Sequence, residues 1–191
     1  RMEWFHKAKL GIFIHWGVYA VKGVSESWSF YNKYLPHDEY MKQCEGFTAS
    51  KYDPKAWVEL IKESGAQYTV LTTKHHDGVA LWDTKQNGIS VVKNTPAKRD
   101  LVTPFVNEVR KAGLRLGLYY SLPDWSHPDY PNMTRTDVRY KDDPKRWDDF
   151  CKFNFGQLKE LNTPFWTSGQ MTKNWNLFYS LSVVIVEKPL P

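Results

Sequence analysis

Apolar positions along this chain fall into two alternating rhythms, short unbroken runs and longer stretches with helical spacing. The first run, Gly11-Ile12-Phe13-Ile14-His15-Trp16-Gly17, is dense in branched and aromatic side chains and closes on glycine. It predicts a strand buried on both faces, with His15 at its exit. From Asp53-Pro54 the spacing changes to Trp57, Leu60, Ile61 and Ser64, with aspartate as N-cap, proline at the first helical position and Gly65 closing the helix. A second strand follows over residues 67–72. Leu101, Val102, Phe105, Val106 and Val109 then predict a helix that ends at Gly113, and residues 114–121 predict a third strand. A last helix from Asp143 to about Leu161 carries Trp147, Phe150, Cys151, Phe153, Leu158 and Leu161, with Pro144 near its start.

Strand, helix, strand, helix, strand, helix is the order that builds a parallel sheet. Right-handed crossovers then place the carboxyl end of every strand on one rim. Residues 28–47, rich in aromatic and polar groups, form a connection long enough to cover a ligand at that rim. Residues 177–186 are apolar enough for a further strand, but they carry no charge and also read as prone to aggregation.

Length constrains this picture. A chain of 191 residues makes one ordinary domain, whereas a closed eight-stranded barrel typically needs about 250 residues. Hydrophobic content of 41% and aromatic content of 16% exclude disorder. No apolar run approaches the roughly 20 residues of a membrane span. The net charge of +5 is spread among both signs, so it describes a solvated surface, with neither the basic stripe nor the aromatic signature of a nucleic-acid binder. Cys44 and Cys151 are far apart, match no metal spacing and are expected as free thiols. No charged-then-apolar leader opens the chain at Arg1.

The candidate chemistry lies where the second strand ends, in Thr72-Thr73-Lys74-His75-His76-Asp77-Gly78. Polar side chains gathered at the end of a buried strand are poorly explained by packing, and a ligand explains them better. His15, His75, His76 and Tyr119 should converge on one rim. Taken alone, His15 would be a satisfied core histidine; its company turns the reading toward a ligand. Neighbours in a strand point to opposite faces, so His75 and His76 can share a ligand only if the chain turns at Lys74. Metal is the rival reading, since zinc hydrolases built on barrels use strand-end histidines. The spacing disfavours it, because no His-x-His follows the first strand and no His-x-x-x-His occurs on a helix. Asp77, Asp100 and Asp124 suit helix capping or orientation of the histidines. His6, His37 and His127 are expected at surface or structural positions.

Five segments in order, Gly11 to Gly17, Glu26-Ser27-Trp28, Thr73 to Gly78, Lys98-Arg99-Asp100-Leu101-Val102 and Leu118 to Trp125, resemble the amino-terminal part of α-L-fucosidases of glycoside hydrolase family 29. The resemblance covers about residues 4–163. It implies an α/β fold, a partial (β/α)8 TIM-like barrel comprising the first three to four strand-helix units, with residues 164–191 as a tail outside the family pattern. It also implies removal of terminal α-L-fucose with retention of configuration, no metal or organic cofactor, fucosylated oligosaccharides or glycoconjugates as partners, and a periplasmic or secreted location. By motif, His15, His75 and His76 match fucose-binding histidines, and Tyr119 matches the tyrosine leaving the third strand. Glu26 and Trp28 match a Glu-Trp pair that in the family often lacks the intervening Ser27. Trp28 would stack on the apolar face of the sugar.

Retention needs two carboxylates about 5 Å apart across the glycosidic bond. The family places its nucleophile in a fourth strand of the type Asn-Pro-Asp-x-x-Trp-Phe-Asp-Gly. Here the chain reads Asn162-Thr163-Pro164-Phe165-Trp166-Thr167-Ser168-Gly169-Gln170, and no aspartate follows Asp149. The expectation is a fucosidase catalytic domain whose nucleophile and acid/base are missing from this chain, so that the chain as given is inactive. The alternatives are a catalytically dead fucose-binding fragment or pseudoenzyme, and a metal-dependent barrel hydrolase.

Overall fold

Two crossover helices and the strands between them occupy the predicted positions in the computed structural model, which describes residues 3–162 and the backbone of residues 182–186. The elements run α1 (Glu3–Ala8), β1 (Gly11–Ile14), a 3-10 turn (Val18–Ala20), α2 (Trp28–Tyr31), α3 (His37–Met41), α4 (Gln43–Gly46), α5 (Pro54–Glu63) and β2 (Tyr68–Lys74). They continue with α6 (Val91–Asn94), α7 (Val102–Lys111), β3 (Arg115–Ser121), α8 (Pro144–Asn162) and β4 (Ser182–Val186). Helix α5 starts where expected because Asp53 Oδ1 accepts from Ala56 N at 3.0 Å and Pro54 needs no donor partner. Helix α7 is capped by Asp100, whose carboxylate accepts from Val102 N at 2.8 Å, Thr103 N at 3.0 Å and the Thr103 hydroxyl at 2.7 Å.

The sheet order is β1-β2-β3-β4. The first three strands are parallel, Gly11 pairing with Tyr68 and Tyr68 with Arg115. The last is antiparallel, Val184 facing Tyr119. An all-parallel barrel would continue with a parallel fourth strand, so the described chain has three barrel-type strands and β4 is not a fourth unit of that kind. Of the apolar run 177–186, residues 177–181 lie outside the described residues, as does the tail boundary expected at residue 163.

One face of the sheet is covered. Leu71, Leu116, Leu118 and Tyr120 join Val58 and Ile61 of α5 and Phe105, Val106 and Val109 of α7 in a single buried cluster, each such side chain contributing about 1.5–3 kcal/mol by leaving water. The opposite face is covered unevenly, Val70 and Thr72 of β2 being buried there. Phe13 is 48% exposed and Tyr119 is half-buried, so β1 is not buried on both faces as its composition predicts. The physical reason is that strand composition reports a capacity for burial, and the described chain supplies no elements across from Phe13. At the amino end of this face, α1 lays Trp4 and Phe5 against the Tyr68 ring, and the Arg115 guanidinium sits 4.4 Å over Trp4. Gly11 permits this, since a Cβ there would run into the Tyr68 ring.

Two further expectations are corrected. Residues 28–47 are not a bare loop but hold the short helices α2, α3 and α4, too short for an amphipathic period to show. Strand β2 continues beyond residue 72 to Lys74, through a register shift between Thr72 and Lys74. Thr72 faces Tyr119, but Lys74 faces Tyr120, so Thr73 is an inserted residue and Lys74 emerges on the covered side. There its side chain is fully buried, 3.3 Å from Asp124 Oδ2 and 4.4 Å over the Tyr120 ring.

Candidate active-site rim

The inserted Thr73 prepares the site. Its hydroxyl donates to the Tyr119 carbonyl at 2.7 Å, and two residues later the chain turns, Gly78 N donating to His75 O at 3.1 Å. Gly78 has φ of +79°, and a Cβ would strike the Asp124 carboxylate, so both backbone and space demand glycine. Trp125 N donates to His76 O at 2.8 Å, which ties this turn to the exit of β3. The imidazoles of His75 and His76 consequently lie on one side, with centroids 4.6 Å apart. The turn required for adjacent histidines to share a ligand is present, placed just after Lys74.

The other predicted residues gather around this pair. The His15 ring, exposed at the end of β1, is 4.9 Å from His75. Tyr119 lies 6.2 Å from both His15 and His75, nearly parallel to the latter at 22°. Trp28 presents its edge to His76 at 5.7 Å, and Trp125 lies 4.4 Å from the same ring. Trp28 is 37% exposed and Trp125 is buried against Tyr31, stacked at 4.0 Å. Glu26 is half-buried with φ of 32°, a left-handed conformation that costs free energy for a residue with a Cβ. Its charge reaches the Tyr19 phenol, helping to raise the pKa there after the larger effect of burial.

Electrostatics keep the pair neutral. Burial, then the neighbouring His76 and His15, push His75 down to about 2. Burial also pushes His76 down to about 4, against the pull of the Pro123 carbonyl. Beneath them Asp77 is driven up to about 6 by burial, although Tyr40 Oη donates to it at 2.6 Å and Val79 N at 2.9 Å. Of the two roles expected for Asp77 and Asp124, capping or orienting the histidines, the contacts correspond to the first. Asp77 holds Tyr40, while Asp124 accepts from Ser126 N at 3.1 Å and His127 N at 2.9 Å and pairs with Lys74. Serines touch the imidazoles instead, Ser27 Oγ on His75 Nδ1 and Ser121 Oγ on His76 Nδ1.

Ser27, Ser121, Tyr19 and Trp125 are neighbours of the histidines that sequence reading did not single out. Ser27, Ser121 and Trp125 stood inside the family-like motifs, but no periodicity distinguishes a hydroxyl that meets an imidazole from one that caps a turn. His37 and His127 are structural as expected, His37 Nε2 bonding Ser126 Oγ at 2.9 Å and His127 packing 4.4 Å from Phe153. Cys44 and Cys151 are free thiols. Among the described residues no group of three His, Cys, Asp or Glu side chains is set to hold a metal ion, and no helix is long and apolar enough to cross a membrane. Glu160 is committed elsewhere, accepting from Trp82 Nε1 and Lys85 N, both at 2.9 Å.

Aromatic rings and the neutral imidazoles of His75 and His76 thus share one rim. The family model described as alpha-L-fucosidase matches residues 1–173. The chain belongs to the α-L-fucosidase family. Tissue alpha-L-fucosidase of Macaca fascicularis is 37% identical over 143 residues, 67% of this chain and 31% of that protein. Among solved structures, alpha-L-fucosidase isoenzyme 1 from Paenibacillus thiaminolyticus superposes with a TM-score of 0.75 at 37% identity, covering 86% of this chain and 40% of that one. A family 29 α-L-fucosidase from Bacteroides thetaiotaomicron, solved as a trapped covalent intermediate with 2-fluoro-fucosyl fluoride, gives 0.74 at 36% identity over 86% and 38% of the two chains. This chain thus spans about a third of the curated fucosidases it matches and corresponds to the amino-terminal part of the catalytic domain.

Proposed function

We propose that this chain supplies the sugar-gripping portion of a retaining α-L-fucosidase, the first three strand-helix units of a (β/α)8 barrel. The observation that carries this reading is the meeting of His15, His75 and His76 at one rim, between Tyr119 on one side and Trp28 on the other. In this reading the three imidazoles bind fucose hydroxyls, Tyr119 lines the floor, Trp28 covers the apolar face and C5 methyl, and Glu26 takes a hydroxyl from the Tyr19 side. The substrates are fucosylated oligosaccharides or glycoconjugates, met outside the cytoplasm, and no cofactor is required.

Hydrolysis needs more than this grip. A retaining mechanism requires a nucleophilic carboxylate and an acid/base, and no aspartate follows Asp149. We therefore read residues 164–191 as a tail outside the family pattern, and the chain as given as a fucose binder without turnover. The test has two parts. Calorimetry should detect weak L-fucose binding that disappears in His75→Ala, while nitrophenyl α-L-fucoside remains uncleaved. Rebuilding the coding sequence beyond residue 163 with a neighbouring frame that restores a Trp-Phe-Asp-Gly strand should bring cleavage back. No heat at millimolar fucose would overturn the binding assignment, and cleavage by the unaltered chain would overturn the claim of inactivity.

A further inference from the structure

Each of the paired histidines meets a buried serine hydroxyl through Nδ1, His75 with Ser27 and His76 with Ser121. For His76 a third group decides who donates. Ser121 Oγ lies 2.7 Å from the Pro123 carbonyl, which can only accept, so the serine hydrogen is committed there and the serine oxygen must accept from Nδ1–H. For His75 no third group fixes the direction, since Ser27 Oγ meets Nδ1 while Tyr40 gives its phenol hydrogen to Asp77 at 2.6 Å. Ser121 is 0% exposed, so water does not compete for its role.

We propose that Ser121 is a positioning residue that holds His76 in the Nδ1–H tautomer, so that its Nε2 serves as a hydrogen-bond acceptor for a hydroxyl hydrogen of a bound sugar. A ligand that is deoxygenated or O-methylated at that hydroxyl leaves a lone pair unmatched, and an anion meets a lone pair where it needs a donor. The sugar part of this inference rests on the fucosidase reading; the tautomer rests on the hydrogen bonds alone.

Long-range proton–nitrogen correlation spectra of the full chain, labelled with nitrogen-15, decide both parts. The expected result at neutral pH is a protonated Nδ1 and a bare Nε2 for His76. Ser121→Ala should disturb the His76 tautomer while His75 stays as it was, and should weaken L-fucose binding by about 2- to 10-fold, the worth of one hydrogen bond. A wild-type spectrum with Nε2–H on His76 overturns the proposal even if the variant does not fold, as does a folded Ser121→Ala protein with His76 unchanged. Adding L-fucose to the same sample should move the His76 Nε2 resonance. The correct tautomer with no response to millimolar fucose would sink the sugar reading alone, whereas the wrong tautomer with fucose bound would sink this inference alone.

Discussion

His15, leaving β1, and His75, leaving β2, bring their rings to 4.9 Å although one is exposed and the other is 3% exposed. The two therefore answer differently to substitution. His15→Ala removes a group that water already surrounds, and its stability cost should stay within about 0.5 kcal/mol. Fucose affinity should still fall by about 10-fold, the equivalent of about 1.4 kcal/mol. Calorimetry beside a thermal melt checks the separation, and a large loss of stability would show that His15 is a packing residue.

Acid should destabilise the protein before surface carboxylates are protonated. His75 and His76 have folded pKa values of about 2 and about 4, below the ordinary 6.5, so their contribution is present above pH 6.5 and is lost as pH falls toward those values. Asp77 works in the opposite direction. Its folded value of about 6 lies above the ordinary 3.8, so between these limits the folded state holds a proton that the unfolded chain releases. Two protons lost against one gained leaves stability falling with acid by about one proton's worth, on the order of 1 kcal/mol per pH unit, between roughly pH 6 and 4. Urea midpoints at pH 7, 6 and 5 read this slope, and Asp77→Asn should steepen it.

The buried ion pair behind the turn gives a third expectation. Lys74→Met leaves the Asp124 carboxylate buried without its cation, at a cost of about 3–5 kcal/mol. The double change Lys74→Met with Asp124→Asn should recover most of this, because neither charge remains to be desolvated. Denaturant unfolding of the single and double variants measures the coupling; additive losses would mean that the two groups do not interact.

Gly78→Ala combines a left-handed backbone with a clash on Asp124. A cost above about 2 kcal/mol is expected, accompanied by loss of fucose binding because the same turn aims His75 and His76. A folded variant of wild-type stability that still binds the sugar would remove the turn from the site.

The strands and crossover helices were legible because burial on a sheet or along a helix face writes a period into the chain, as Val102, Phe105, Val106 and Val109 do in α7. The capping aspartates Asp53 and Asp100 were legible too, since their bonds reach residues only two or three positions away. Helices α2 to α4 left no such trace, being shorter than the period that would reveal them. The placement of His15, His75, His76 and Tyr119 near one another followed from parallel strands ending at one rim, a topological consequence that needs no distances, whereas Trp28, on α2, was indicated by motif alone.

Family membership, the three parallel strands and the missing aspartates after Asp149 are thus written in the order of residues, because local periodicity and motif order survive without coordinates. Which partner each histidine meets was decided only by folding. Ser27 lies far along the chain from His75, and Ser121 from His76, so their hydrogen bonds depend on the register shift at Thr73 and on the turn at Gly78. The exposure of Phe13 was likewise undetermined by composition, since an apolar strand states what it can bury, and only the surrounding chain settles what covers it.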